Sequence, residues 1–500
     1  MGTTNAQTNT EKGSDETSID AFFAESVILI TGATGFVGKA LVEKLLRVCP
    51  RLAIIFILIR PKRNQTVEQR FKSFLESFAF DEIRPSKLLS KLKPVKGDVA
   101  LPDLGLSQED KNMLTERVNI IFHSAATVRF NEPIKVAVNL NTNGTDRMIE
   151  LSKSMKNLIS FIHVSTAYSN SNRDDIEEVI YPTNVKPSTI IDMCENLDKD
   201  TLNILEKKIL EIHPNTYTFT KKLAEQIILE KGKDLPIAIV RPSIIGAAEK
   251  EPFPGWVDNI FGVTATLIEV GNGNVKSIVT NAKLKCDIIP VDRVIDTLIC
   301  AAWYTSVQKR DTIKVYNCTN SASPLSWGNL IGLIKKHAIE TPSQYVTWYP
   351  CCTYRQNRFI HNLILFTLNI FPAFLIDIFV KLTGGKPIMM KLMNRVQRFA
   401  EASEYFTMHE WHFHRDNLYE LAKKVKSLKD SNNFVVISED LNWESYLRSY
   451  ILGIRTFIQK DTPETLKTAR NRLHVLYWLR RFTQVFSIFT VLMIVLRIAH

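Results

Sequence analysis

Thr31-Gly-Ala-Thr-Gly-Phe-Val-Gly38 lies between an apolar run, Val27-Ile-Leu-Ile30, and an amphipathic stretch at 39–48. This strand, glycine turn and helix constrain the chain more than any other feature. A buried strand must turn sharply to lay a helix back on its own sheet, and glycines at this spacing meet three separate needs. Gly32 permits the tight turn. Gly35 lets the backbone approach a pyrophosphate, and Gly38 lets the helix pack closely on the strand. The helix start then offers unpaired N–H groups to phosphate. The pattern points to a dinucleotide-binding βαβ unit.

Further apolar runs at 54–59, 119–123, 161–165 and 237–240 alternate with helical stretches such as 39–48 and 145–155. Strands apolar on both faces belong to a parallel sheet covered by helices on both sides. The expected fold class is therefore α/β, a Rossmann-type doubly wound parallel sheet. Five hundred residues exceed one compact core, so a second domain is expected. After about Ser343 the alternation fades. The expected division is a disordered lead at 1–20, a reductase-type domain at 21–345, a mainly helical C-terminal domain at 346–474 and an apolar tail at 475–500.

Two apolar runs bear on membranes. Residues 359–380 are interrupted by His361, Asn362, Pro372 and Asp377. They read either as a buried helix pair bent at Pro372 or as a membrane contact. The run 482–496 follows Arg480 and Arg481, and flanking apolar residues lengthen it towards a span if the arginines snorkel. A membrane anchor is expected there. The N-terminus lacks the charged-then-apolar order of a signal peptide, and Ala6 stands where a myristoylation signal requires Ser or Thr.

A hydrophobic fraction of 45% and a charged fraction of 23% exclude a mostly disordered chain and a fibre. Net charge of +11 suits an anionic ligand or membrane surface. The cations are dispersed and no stacking motif accompanies them, so nucleic acid is not an expected partner. The seven cysteines include no C-x-x-C pair, which suggests a reducing compartment and thiols that serve packing.

The chemistry-bearing residues follow the fold. The second strand ends in Ile59-Arg60-Pro61-Lys62-Arg63, with no acid to bond a ribose hydroxyl; Arg60 and Lys62 suit a 2′-phosphate, favouring NADP over NAD. Asp98, in Gly97-Asp98-Val99, is placed to bond an adenine amino group. Tyr217 and Lys221 share one helix face. A lysine ammonium and a nicotinamide cation together are expected to lower the tyrosine pKa, making it a proton donor to a carbonyl that receives hydride. Ser165 and Thr166 end the preceding strand and either hydroxyl suits the same oxygen. Asp287 and Asp292 read as a substrate loop or a helix cap. His409-Glu-Trp-His412-Phe-His414 lacks the spacing of H-E-x-x-H, and no metal is expected.

These parts together resemble the extended short-chain dehydrogenase/reductases. In detail, HSAATVRFNEP (123–133), NTNGT (141–145), HVSTAYSN (163–170), NTYTFTKKLAE (215–225), VRPSIIG (240–246) and PGWVDN (254–259) resemble the alcohol-forming fatty acyl-CoA reductases. LVEKLLRVCP (41–50), FPAFLID (371–377), GGKP (384–387) and EYFTMHEWHF (404–413) do as well. The resemblance implies NADPH-dependent reduction of a long-chain acyl-CoA to a primary alcohol with release of CoA, through an aldehyde held in the site. It implies Tyr217, Lys221, Ser165 and Thr166 as catalytic residues. It also implies cofactor contacts at Thr31, Thr34, Phe36, Val37 and Val99, at Ala125, Ala126, Asn141 and Pro242, and at Tyr217 and Lys221. A cytosol-facing membrane protein follows, of the endoplasmic reticulum first and the peroxisome second. The alternative is a membrane-bound reductase of a sterol-like ketone.

Overall fold

The computed structural model describes residues 18–62, 64–210, 212–308, 312–320, 323–437 and 441–499. Residues 1–17 of the expected lead, and Arg63 of the basic loop, lie outside the described residues. Ser18–Asp20, read from sequence as the end of that lead, are ordered. Ser18 caps the helix Ile19–Phe23, and Ile19 and Phe23 are fully buried.

Seven parallel strands form one sheet: β1 (Val27–Thr31), β2 (Ile54–Ile59), β3 (Leu92–Lys96), β4 (Ile120–His123), β5 (Ser160–Val164), β6 (Ile237–Pro242) and β7 (Lys314–Cys318). Their spatial order is β7-β6-β5-β4-β1-β2-β3. Every residue of β1, β4, β5 and β6 is buried, as strands covered on both faces must be. The order reverses between β1 and β4, opening a crevice at the carboxyl ends of those strands where doubly wound sheets bind ligands. The doubly wound fold is as the sequence implies. The first crossover helix, Phe36–Val48, begins three residues earlier than its apolar pattern suggests, because Gly35 serves as its N-cap.

One helix of the C-terminal part, Trp443–Gly453, joins the core of the sheet. Leu447 and Tyr450 of the helix Trp443–Gly453 are fully buried in the same apolar core as Ile28 and Ile30 of β1. Tyr446 donates its hydroxyl to Ala247 O at 2.9 Å, and Tyr450 Oη lies 2.8 Å from Thr264 Oγ1.

The segment Arg358–Leu382 is different. It is 25 residues long with a mean hydropathy of 2.3 over its most apolar window, and 11% of that window is buried. Phe359, Leu363, Phe366, Phe374, Phe379 and Leu382 are all exposed. The reading of 359–380 as a buried helix pair is thereby overturned. Pro372 instead sits in the first turn of Phe371–Leu382, immediately after a π-helical turn at Phe366–Ile370, where its missing N–H is tolerated. Asp377, the one acid of the run, accepts Met389 N at 2.9 Å and Met390 N at 2.8 Å, so it anchors the start of the following helix. The tail forms one helix, Leu466–Ala499, on which Val475, Phe482, Val485, Phe486 and Phe489 are exposed.

Candidate functional site

The glycine turn has the geometry its spacing predicts. Gly32 has φ +75°, and a Cβ there would sit 2.7 Å from Ala125 N. A Cβ on Gly38 would sit 2.4 Å from Ala33 Cα and Gly32 O, so only glycine allows the helix to lie this close to the turn. Gly35 is exposed at the head of the 13-residue helix Phe36–Val48. The Thr31 hydroxyl accepts Ala125 N at 3.2 Å and lies 2.7 Å from His123 Nδ1, tying β1 to β4. Phe36 itself turns into the core, its ring 5.1 Å from that of Trp256, so what it presents to the crevice is backbone.

The end of β2 gathers more positive charge than its own sequence shows. Arg70, on the helix Val67–Leu75, donates to Thr34 Oγ1 at 3.3 Å and also to Arg60 O. It thereby sits between the glycine turn and the exit of β2, ten residues beyond Arg60. Arg60 is half exposed and lies 4.0 Å from Asp98. Asp98 is thus drawn towards the same corner, and its carboxylate accepts Ala100 N at 3.0 Å. Val99 is buried against Gly144. Lys62 is exposed and pairs its backbone with Gln65.

The helix Thr216–Lys231 carries Tyr217, Lys221 and Glu225 at successive turns of one face. Asn215 caps it, accepting Thr218 N at 2.9 Å. The Tyr217 phenol is hydrogen-bonded to Thr166, and burial nevertheless pushes its pKa up to about 12. The expected lowering counts a nicotinamide cation together with Lys221; the protein's own groups hold the phenol high, as a neutral O–H donor near neutral pH. Lys221 Nζ donates to Val164 O at 2.5 Å and lies 3.4 Å from His163 Nε2. Burial pulls its pKa down to about 8, against the opposing charge of Glu225. His163 is the register partner of His123, their rings 5.4 Å apart, so a line of contacts runs from Thr31 through His123 and His163 to Lys221.

Ser165 and Thr166, indistinguishable in the sequence, have different partners. Ser165 donates to Glu225 Oε1 at 2.5 Å, as does Ser169 at 3.2 Å. Glu225 also forms a fully buried ion pair with Arg241 of β6 at 2.6 Å. Thr166 faces Tyr217. Asn141 is a brace: its amide donates to Thr127 O at 3.1 Å and Thr220 Oγ1 at 3.0 Å, holding the turn after Ala125-Ala126 against the Tyr217 helix. Pro242 ends β6 beside these groups. Asp292 accepts Glu249 N at 3.0 Å and Lys250 N at 2.9 Å, which makes it a loop brace.

A cavity of about 490 Å³ opens nearby, lined by Tyr168, Cys286, Asp287, Trp327, Phe406 and Trp411 among others. Phe406 connects it to the tyrosine: its ring lies 5.3 Å from Tyr168 and 5.2 Å from Phe130, and Phe130 stacks on Tyr217 at 6.1 Å. Asp287 accepts the Ser243 hydroxyl at 2.6 Å and Asn320 N at 2.8 Å at the cavity wall. Sequence reasoning missed Arg70, His163, Glu225, Arg241 and Phe130. The i+8 spacing of Glu225 from Tyr217 was the one available signal among them.

A family model described as "Male sterility protein" matches residues 30–298, and a second of the same description matches residues 368–461. Mouse "Fatty acyl-CoA reductase 1" is 38% identical over 466 residues, which cover 92% of this chain and 90% of the mouse protein. Mouse "Fatty acyl-CoA reductase 2" is 37% identical, covering 91% and 89%. Among solved structures, the terminal R domain of the myxalamid PKS-NRPS pathway superposes with a TM-score of 0.59 at 19% identity, covering 87% of this chain and 91% of that one. The R domain of a Mycobacterium tuberculosis nonribosomal peptide synthetase gives 0.55 at 19% identity, covering 86% and 91%. The two structural likenesses concern the fold.

Proposed function

The chain belongs to the fatty acyl-CoA reductase family, and from that premise we propose that it reduces a long-chain acyl-CoA to a primary alcohol with release of CoA, consuming two NADPH and passing through an aldehyde that stays in the site. It is an oxidoreductase that forms a fatty alcohol and uses a nicotinamide cofactor. The observation that carries the finer reading is the meeting of Tyr217 with Thr166 and of Lys221 with the end of β5, two strands from the glycine turn.

The residues present fit a nicotinamide dinucleotide. An exposed glycine heads the helix Phe36–Val48, and Arg70 joins Thr34 to Arg60 at the exit of β2, where the sequence carries no acid in the place of a ribose-binding carboxylate. That cation pair supports NADPH over NADH. The bound cofactor supplies hydride to the acyl carbon. The neutral Tyr217 O–H and the Thr166 hydroxyl hold the carbonyl oxygen as negative charge develops on it. Collapse of the resulting hemithioacetal expels CoA thiolate and leaves the aldehyde, whose oxygen occupies the same two hydroxyls. At the second reduction Tyr217 gives its proton to the alkoxide. Lys221, one helical turn on from Tyr217, is held at the end of β5 by Val164 O. The cavity beyond Phe130 and Phe406 takes the acyl chain.

The exposed apolar helices Arg358–Leu382 and Leu466–Ala499 support membrane association, with the ligand-binding residues on the cytosolic side. The endoplasmic reticulum is the proposed membrane, and the peroxisomal membrane the second.

The test is turnover of detergent-solubilised protein with NADPH and a panel of acyl-CoAs, with products identified by mass. Fatty alcohol and free CoA, abolished by Tyr217→Phe, are expected. NADPH binding with no turnover of any acyl-CoA overturns the proposal.

A further inference from the structure

Two short strands from opposite halves of the chain meet at the mouth of the cavity. Asp175–Ile176 pairs in parallel with His412–Phe413, and Asp175 is the register partner of His412. His412 N donates to Asp174 O at 2.8 Å and His414 N to Ile176 O at 2.9 Å, so the backbone sets the spacing before any side chain does. His412 and His414, two residues apart, project on one side of their strand, while Phe413 between them is buried against Tyr168.

The result is a convergence of donors. His412 Nδ1 lies 3.0 Å from Asp175 Oδ1, and His414 Nε2 lies 3.6 Å from the same oxygen. One ligand atom from each of the three residues fits within 4.8 Å of the others. A tetrahedral ion bound at about 2.0–2.2 Å holds its ligand atoms about 3.3–3.6 Å apart; the His414–Asp175 separation falls in that range and the His412–Asp175 separation lies a few tenths of an ångström below it. Two imidazoles and a carboxylate are zinc donors rather than magnesium or calcium donors. The surroundings favour a cation. Asp174 and Glu177 are exposed on the same segment, and the neighbouring guanidinium groups are engaged, Arg173 stacked on Tyr181 at 4.3 Å and Arg415 on Tyr419 at 5.0 Å. Glu410 is engaged elsewhere, accepting Lys285 N at 2.9 Å.

The H-E-x-x-H argument that excludes a metal from sequence rests on His409, which takes no part. Its Nδ1 lies 2.7 Å from Tyr405 O and its ring stacks on Tyr405 at 4.2 Å. The third ligand comes instead from 237 residues earlier in the chain. We propose that Asp175, His412 and His414 form a zinc site that fastens the C-terminal strand to the segment following Thr166. Because Trp411 and Phe413 flank His412 and pack on Tyr168, the metal fixes the aromatic wall of the cavity. The site is a structural or regulatory one, open to solvent, with at least one position for water.

The experiment uses the full chain in detergent after treatment with a chelator. Added Co²⁺ is expected to give the visible d–d absorption of a tetrahedral N/O site at one equivalent per chain. Zn²⁺ is expected to displace it and to raise the melting temperature, with Mg²⁺ doing neither. His412→Gln and His414→Gln are each expected to weaken binding at least about tenfold, and His409→Gln to leave it unchanged. Melting temperatures of the metal-free variants distinguish loss of the site from loss of the fold. Absence of the Co²⁺ signal in the unmodified chain overturns the proposal, as does an unchanged signal in a folded His412→Gln/His414→Gln double variant.

Discussion

Ser165 donates its hydroxyl to Glu225 Oε1 at 2.5 Å, and this bond separates two neighbouring hydroxyls of the same chemical type. Ser165 is committed to a buried carboxylate, whereas Thr166 faces the phenol of Tyr217. Thr166→Val is therefore expected to lower kcat about 10²–10³-fold, the usual loss for one donor to a developing oxyanion. Ser165→Ala is expected to cost about 1.5–3 kcal/mol of stability, the range for a hydrogen bond to a charged group, with a much smaller effect on kcat. Steady-state kinetics and thermal melts of the two variants check the assignment, and reversed effects would exchange the roles.

Arg70 bridges the glycine turn and the exit of β2 through Thr34 and Arg60. Arg70→Met is expected to raise KM for NADPH about 10–100-fold, as loss of one charge-assisted contact to phosphate does, and to leave KM for NADH within about threefold. Equal losses for both cofactors would assign Arg70 to structure alone.

Glu225 and Arg241 form a fully buried ion pair beneath the Tyr217 helix. Arg241 also donates to Glu177 O at 3.1 Å and Val179 O at 2.8 Å, so one guanidinium ties β6, the helix and the segment after Thr166. Glu225→Ala leaves that guanidinium buried without its carboxylate, and a loss of about 3–5 kcal/mol is expected. Denaturant unfolding of the variant measures it.

Stability should also fall in acid. His123 is buried and neutral, and burial, followed by the charge of Lys221, holds its pKa down at about 3. The unfolded chain takes up this proton near pH 6.5, so the folded state binds fewer protons between about 3 and 6.5 and loses about 1.4 kcal/mol per pH unit over that window. Glu178 and Asp296 act in the opposite sense, since burial raises them to about 7 and about 6. The comparison that isolates the histidine is therefore between the unmodified chain and His123→Gln. The variant's melting temperature should depend less steeply on pH between 6.5 and 4, and an unchanged slope would contradict the assignment.

Much of this architecture was legible in the sequence because it is local. The apolar runs became β1, β2, β4, β5 and β6 within one or two residues, and Gly35 and Gly38 act through backbone contacts a few residues away. Tyr217 and Lys221 declared themselves by helical spacing. What stayed hidden is long-range. Nothing near Ser165 reveals that Glu225 will hold it and leave Thr166 for Tyr217. Arg70 lies in an unremarkable amphipathic helix until the fold brings it to Arg60. The protein's own contribution to the tyrosine pKa was not legible either, because burial, which depends on the whole packing, outweighs the hydrogen bond to Thr166. The apolar run 359–380 was ambiguous because composition alone does not tell a buried helix from an exposed one.

The central claim is that one site carries out both reductions, and reaction stoichiometry tests it most directly. Purified protein is given a limiting quantity of acyl-CoA, and NADPH consumed, CoA released, aldehyde and alcohol are counted together. The account predicts two NADPH oxidised and one CoA released per alcohol, with no aldehyde accumulating in solution even when an aldehyde trap is present. One NADPH per CoA with aldehyde as the final product would contradict it.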